Sequence, residues 1–291
     1  MSRAKKELIE YATLLAKAAL AEDLLGGVDL TTSAIVDKKE KSTFEVIAKE
    51  ELIVCGLFVL KAVINEVDKN LTFKALKKDG ELARKGTLIG LIKGSLSSML
   101  IAERVALNFL QHLSGVATLT SKYVKKTTGT QAKIFDTRKT TPLLRALEKY
   151  AVKIGGGSNH RFGLFDAILI KDNHIRAGHG ITGAVLKAQR TYPKQKIEVE
   201  VKNLAELKEA LSTTAKIIML DNMTVSNIKK AVILAKKIKP KIILEASGGV
   251  TLKTISAIAR TGVDRISVGA LTHSAPSSDI SMLEITGKIK K

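Results

Sequence analysis

From Gly115 onward the chain repeats one pattern: a short apolar run, a polar or glycine-containing end to that run, then a stretch with helical periodicity. The apolar runs start near Ile134, Ala167, Ile197, Ile217, Ile242 and Ile266, at successive spacings of 33, 30, 20, 25 and 24 residues. A strand that returns beside another after a crossover of this length makes a parallel sheet, since an antiparallel partner needs only a turn. Helices covering both faces demand strands that are apolar throughout, which is how these runs read. Six strands, with a further one expected near Val116, fit a closed or nearly closed α/β barrel; a doubly wound open sheet satisfies the same periodicity, which does not count closure. Helix starts are expected at Thr141-Pro142, Asn203 and Thr251, with Gly155-Gly156-Gly157 stopping one helix and Pro240 following another.

Before Gly115 the pattern differs. Leu8, Ala12, Leu15, Ala16, Ala19 and Leu20 recur at helical spacing within Ser2 to Ala21. Phe44-Val46-Ala48 and Leu71-Phe73-Ala75 alternate with polar residues, as antiparallel strands with one covered face do. Ile101, Val105, Phe109 and Leu113 mark an apolar helix face, and Arg104, Asn108 and His112 a polar stripe on another. The longest uncharged apolar run, Leu52 to Leu60, falls far short of the roughly 20 residues that span a bilayer. It contains the lone Cys55, which reads as core in a reducing compartment. With Glu7 and Glu10 interrupting the start of the chain, no signal-peptide core is visible, and a cytoplasmic protein without a membrane partner is expected.

The charge is lopsided. Residues 1–113 carry 17 basic and 15 acidic side chains, net +2, whereas 114–291 carry 31 and 13, net +18 of the total +20. Such a field concentrates anions of any kind. Aromatic residues make up 4% of the chain and there is no Trp, which argues against stacking on single-stranded nucleic acid. Basic residues gathered on a convex face would favour a nucleic-acid-binding barrel; convergence at one barrel mouth would favour an enzyme.

Ligands of parallel α/β folds sit at the C-terminal strand ends, where the loops converge. Those ends here are Asp136-Thr137-Arg138-Lys139, Lys171-Asp172-Asn173-His174, Glu200 with Lys202, Asp221-Asn222, Glu245 with Ser247-Gly248-Gly249, and Gly269. All six are polar or glycine. In Ile197-Glu198-Val199-Glu200-Val201 both glutamates share one face, which turns inward if the apolar face meets helices. A buried carboxylate needs a partner, so a structural pair with Lys or Arg and a functional role both stand for Glu198; Glu200, nearer the mouth, reads as functional. Ser247-Gly248-Gly249 and the Gly269-Ala270 loop, following the last two strands, suit a phosphate. Arg138, Lys139, His160, Arg161 and Lys171 read as a clamp for a polyanion or, failing convergence, as a basic surface patch.

Taken together, these segments resemble the quinolinate phosphoribosyltransferases. The likeness is carried by Asp136 to Pro142, by Gly155-Gly156-Gly157-Ser158-Asn159-His160-Arg161-Phe162-Gly163 and by Leu169 to His174. Glu103-Arg104 with Asn108-Phe109-Leu110, Glu198 to Val201, Leu220-Asp221-Asn222 and Glu245 to Gly249 extend it over most of the chain. The resemblance implies an N-terminal α/β sandwich over 1–113, to which 274–291 return, and an incomplete TIM-like α/β barrel over 114–273. It implies decarboxylating transfer from phosphoribosyl pyrophosphate to quinolinate in NAD synthesis, with Mg2+ assisting. It also implies a homodimer with shared active sites, or a hexamer built as a trimer of dimers. Arg138, His160, Arg161 and Lys171 would hold the quinolinate carboxylates, with Arg104 reaching in from the other subunit. Thr137 and Lys139 would contact the phosphoribosyl donor. Glu200 and Asp221 would hold its ribose hydroxyls or the magnesium, and Ser247, Gly248, Gly249, Gly269, Ala270 and His273 its phosphate end. Two positions depart from the family: Leu143 stands where glycine is common, and His112 where a basic residue is.

Overall fold

The computed structural model describes residues 3–37 and 39–285. In chain order the elements are α1 (Arg3–Leu24), α2 (Leu30–Ile35), β1 (Lys41–Ala48), β2 (Leu52–Ile53), α3 (Leu57–Val67), β3 (Thr72–Ala75), β4 (Leu82–Ala83), β5 (Leu88–Ser95) and α4 (Leu96–Lys126). There follow β6 (Lys133–Phe135), α5 (Arg145–Ile154), β7 (Ile168–Ile170), α6 (Asp172–Ala177), α7 (Ile181–Thr191), β8 (Ile197–Val201), α8 (Leu204–Leu211) and β9 (Ile217–Asp221). The chain closes with α9 (Val225–Ile238), β10 (Ile243–Ser247), α10 (Ile255–Ala259), β11 (Arg265–Ser267), α11 (Ala270–His273) and β12 (Ile280–Glu284). They form two compact units: the described residues of Met1–Leu119, Ala146–Gly155 and Ala275–Lys291, and Thr120–Arg145 with Gly156–Ser274.

In the first unit β12, β1, β5 and β3 make a four-stranded antiparallel sheet, and β2 pairs with β4. Residues 286–291 of the expected C-terminal return lie outside the described residues; the rest contributes β12, which pairs with β1 in the register Val46↔Met282. Alternation along β1 buries Phe44, Val46 and Ala48, and that face packs with Leu60, Ile64, Ile92, Leu110 and Met282 in one core. Asp29 caps α2, its carboxylate accepting from Thr32 N–H at 3.0 Å.

The second unit holds a six-stranded parallel sheet in the order β6-β11-β10-β9-β8-β7. From β7 to β11 each strand is added on the same side of the last, and β6 then lies beside β11. A doubly wound sheet reverses direction at a switch point; this one does not, so it is a barrel lacking only the pairing between its first and second strands. That is the incomplete barrel expected. The free side of β6 is met by a single parallel bridge between Phe135 and Ser158.

The strand expected near Val116 does not form. Val116 and Ala117 lie fully buried inside α4, a continuous helix of 31 residues. Gly115, which reads as a break, is a close-packing position: a Cβ there would fall 2.0 Å from the Pro276 carbonyl oxygen. The expected 113/114 boundary therefore falls within this helix. Thr251 begins a turn, and α10 follows only at Ile255.

Candidate active site

In each strand residues two apart share a face. The residues Lys171, Glu200, Asp221, Ser247 and Gly269 at the strand ends line one cavity of about 750 Å3, and every residue lining it belongs to the second unit. Two positions earlier stand Leu169, Glu198, Met219, Glu245 and Ser267, all 9% exposed or less. Leu169, Met219 and Ser267 also reach the cavity. The loop after β6 adds Thr137, Arg138 and Lys139, and the segment after α5 adds His160 and Arg161. Gly248, Gly249, Ala270 and His273 complete the residues expected from the sequence. Arg104 alone is elsewhere, on the exposed side of α4 in the first unit.

Charge is distributed by role. Arg138, Lys139, Arg161 and Lys171 converge on the cavity, so part of the basic excess meets at one mouth. Burial, then the neighbouring Arg138 charge, hold the Arg161 guanidinium below its ordinary range. Arg161 Nη1 donates to the Ala167 carbonyl at 2.9 Å, which fixes its course. Lys171 Nζ lies 3.0 Å from Glu200 Oε2. Lys139 is set by its N–H donating to Thr137 Oγ1 at 3.0 Å and by Thr272 Oγ1 donating to its carbonyl at 2.7 Å. Asp221 accepts from Asn222 Nδ2 at 2.8 Å.

Beneath them His160 Nε2 lies 3.1 Å from Glu198 Oε2 and 3.4 Å from Glu245 Oε1. Burial disfavours charge on this ring, and the two carboxylates outweigh it, drawing its pKa up to about 9. The Arg161 N–H, donated to Nδ1 at 2.8 Å, pulls the other way, because a second ring proton would have to sit there. Burial, opposed in part by His160, holds the Glu198 carboxyl above its usual range. Among the described residues these three are the one group of three whose ligand atoms lie within 4.8 Å of one another; His160 Nε2 is shared between the two carboxylates, and Glu245 Oε2 is left buried without a hydrogen-bond partner. Glu200 and Asp221 suit a cation better: both put carboxylates into the cavity, and an all-oxygen pair completed by substrate oxygens is what Mg2+ accepts.

Residues 116–283 match the sequence profile of the quinolinate phosphoribosyl transferase C-terminal domain, and 29–114 that of its N-terminal domain. This chain belongs to the quinolinate phosphoribosyl transferase family. The probable nicotinate-nucleotide pyrophosphorylase [carboxylating] of Bacillus subtilis is 44% identical, the alignment covering 89% of this chain and 88% of that one. The quinolinate phosphoribosyltransferase [decarboxylating] 2a, mitochondrial, of Nicotiana tabacum is 42% identical over 91% of this chain and 79% of its own. The solved nicotinate-nucleotide pyrophosphorylase of Francisella tularensis superposes with a TM-score of 0.90 at 44% identity, covering 95% of this chain and 96% of that one.

Within this quinolinate phosphoribosyl transferase the two departures acquire physical content. Leu143 has φ +65°, a left-handed backbone that glycine adopts freely and leucine does not, and its side chain is exposed. His112 Nε2 pairs with the buried Glu148 carboxylate at 2.8 Å. Sequence reading named Asn222 at a strand end and Thr251 at a helix start without giving either a role in the site, and it gave none to Ser267 or to the apolar wall of Leu169, Met219, Val250 and Val268. The signal for Leu169, Met219 and Ser267 was present, since each stands two residues before a strand-end residue already singled out. No helix among the described residues is long and apolar enough to cross a membrane.

Proposed function

We infer that this chain transfers the phosphoribosyl group of phosphoribosyl pyrophosphate to the ring nitrogen of quinolinate and removes the 2-carboxylate, yielding nicotinate mononucleotide, pyrophosphate and CO2 for NAD biosynthesis. One observation carries the reading: four cations, Arg138, Lys139, Arg161 and Lys171, meet in a single cavity with two carboxylates, Glu200 and Asp221. Two guanidiniums held together in a partly buried site are relieved by a dianion, and quinolinate supplies two adjacent carboxylates. His160 stands beside them with both ring nitrogens already bonded.

Donor and acceptor are brought into line by opposite sides of the cavity. Ser247, Gly248 and Gly249, with Gly269, Ala270 and His273, would hold the 5'-phosphate; Gly248 and Gly249 line the cavity with φ +92° and +58°, a backbone that glycine adopts freely and that lets a loop approach a phosphate closely. Thr137 and Lys139 would contact the departing pyrophosphate, with Lys139 Nζ balancing its charge. Mg2+ held through Glu200, Asp221 and substrate oxygens would supply further neutralisation of the pyrophosphate. As the bond from C1' to pyrophosphate breaks, Glu200 and Asp221 stabilise the cationic ribose, and the pyridine nitrogen forms the new bond to C1'. The alkylated nitrogen is positive. It stabilises the electron pair left on C2 when the bond to the carboxylate breaks, and C2 then takes a proton from solvent.

Incubation with quinolinate, phosphoribosyl pyrophosphate and Mg2+, with nicotinic acid as parallel acceptor, tests this reading by chromatography. Nicotinate mononucleotide from quinolinate alone is expected; product from nicotinic acid alone, or none from folded protein, contradicts it. Glu200→Ala should lower turnover by at least about 100-fold with far less effect on quinolinate affinity, because its interaction grows toward the transition state.

A homodimer with shared sites accords with two sets of exposed large apolar side chains: Leu25, Val28, Leu30 and Ile35 in the first unit, and Leu143, Leu164 and Phe165 in the second. Arg104 would then enter the partner's acceptor site. The free, buried thiol of Cys55 accords with a cytoplasmic enzyme.

A further inference from the structure

Arg145 lines no part of the cavity, yet its guanidinium touches both loops that carry the two arginines of the clamp. The loop after β6 runs through Arg138, Lys139 and Thr140, and the segment after α5 through His160, Arg161 and Phe162. Arg145 Nε donates to Thr140 Oγ1 at 3.0 Å, Nη1 to the Phe162 carbonyl at 3.3 Å and Nη2 to the Arg138 carbonyl at 3.5 Å. All these residues belong to the second unit, whereas 146–155, the chain that connects the two loops, belongs to the first. At their roots the loops are joined directly. Ser158 N–H donates to the Ile134 carbonyl at 2.8 Å, Asp136 N–H to the Ser158 carbonyl at 3.1 Å and His160 N–H to Asp136 Oδ1 at 2.8 Å. Past Asp136 and His160 the Arg145 guanidinium continues the join.

Physical chemistry gives Arg145 little other reason to be there. As the first residue of α5 it sets a cation at the positive end of the helix dipole, and all three of its bonds go to neutral oxygens rather than to a carboxylate. The loops it joins carry like charges: Arg138 stands close enough to Arg161 to help lower that guanidinium's pKa, and repulsion between them favours separation. Arg138 Nε is buried without a hydrogen-bond partner, so its direction depends on the main chain that Arg145 holds. Lys139 is fixed separately, by Thr137 Oγ1 and Thr272 Oγ1. We propose that Arg145 is a positioning residue for the acceptor end of the cavity, a planar clasp that keeps the Arg138 and Arg161 guanidiniums side by side for a 1,2-dicarboxylate. The proposal rests on the reading of the cavity as a quinolinate site. A lysine could not do the same, because its three donors spread from one point whereas the guanidinium reaches three oxygens around a plane.

The test is calorimetric binding of phthalate, an unreactive aromatic 1,2-dicarboxylate, to the full chain and its variants, with KM measured for both substrates. Arg145→Ala should lose about tenfold or more in phthalate affinity and raise KM for quinolinate by a similar factor. Arg145→Lys, which keeps the charge, should lose nearly as much. KM for phosphoribosyl pyrophosphate should stay within about threefold of the parent in both, since Lys139 keeps its own supports; general loosening of the fold would not give this split. Thr140→Val, which removes one of the three acceptors, should cost a smaller factor and should add nothing in the Arg145→Ala background. Parent-like phthalate affinity in Arg145→Ala, equal losses for donor and acceptor, or full retention in Arg145→Lys would each overturn the proposal. Should Arg145→Ala fail to fold, Arg145→Lys and Thr140→Val still decide. A parent protein that neither binds phthalate nor converts quinolinate would overturn the substrate reading, and the proposal with it; one that does both while Arg145→Ala binds phthalate equally well overturns the proposal alone.

Discussion

Asn222 occupies backbone space that few side chains tolerate, with φ +52°, and Asp221 and the Ser247-Gly248 loop both lean on it. Its Nδ2 donates to Asp221 Oδ2 at 2.8 Å, its N–H donates to the Ser247 carbonyl at 2.9 Å, and its Oδ1 lies where a Cβ on Gly248 would come within 2.2 Å. Replacing Asn222 with Ala should raise KM for phosphoribosyl pyrophosphate by about tenfold, the loss of one charge-assisted bond, with phthalate affinity unaltered. A parallel loss of both would place Asn222 in the scaffold only. Asp221 was legible in the sequence because a charge ending an apolar run is conspicuous; Asn222 was visible beside it but its role was not, because that role lies in a backbone angle and a contact with another loop. Leu143 is the converse case. Its departure from glycine was legible and its φ was not. Leu143→Gly should leave thermal stability unchanged or raise it, since relief of about 1–2 kcal/mol of left-handed strain outweighs the added freedom of the unfolded chain. A clear drop in Tm would show that the side chain makes contacts worth more than the strain.

The barrel strands were readable because each is a buried apolar run ending in polar residues, and their observed starts at Lys133, Ile168, Ile197, Ile217, Ile243 and Arg265 lie within one residue of those expected. Closure was not readable, for it depends on which edges pair. The Val116 region was misread because a glycine amid apolar residues looks the same whether it ends a helix or lets another backbone approach one. Some devices at this scale are local. Asn203 caps α8 by accepting Glu206 N–H at 2.9 Å, so Asn203→Ala should cost about 1 kcal/mol in denaturant unfolding. In the first unit Tyr150 on α5 donates its hydroxyl to Asp79 Oδ2 at 2.8 Å, and its ring meets Phe58 edge-on. Burial first, and the Asp79 charge second, hold this phenol well above its ordinary range. The unfolded chain therefore releases a proton above pH about 10 that the folded chain keeps, and stability must fall as pH rises through that region, by up to about 1.4 kcal/mol per pH unit. Tyr150→Phe should cost about 1 kcal/mol near neutrality and flatten this alkaline decline. An unchanged slope would mean that other groups cause it.

At the scale of the molecule the +18 charge of residues 114–291 divides into a part that lines the cavity and a part that is solvated. Arg138, Lys139, Arg161 and Lys171 line the cavity, whereas Lys229, Lys230, Lys236 and Lys237 lie exposed along α9. Which lysines belonged to a site was legible only through their position at strand ends. A dimer with shared sites, as proposed, would make a separable prediction. Arg104→Ala and Glu200→Ala should each be nearly inactive alone, and a subunit-exchanged equal mixture should regain about a quarter of the parent activity, one intact site in every mixed dimer. No recovery, with exchange verified, would place Arg104 outside the partner's site. The claim on which the rest depends is that ring alkylation and loss of the 2-carboxylate belong to one reaction. Quinolinate labelled in its 2-carboxyl carbon, turned over with phosphoribosyl pyrophosphate and Mg2+, should release one labelled CO2 for each nicotinate mononucleotide and each pyrophosphate formed. Label retained in the nucleotide, or pyrophosphate released without matching CO2, would contradict it.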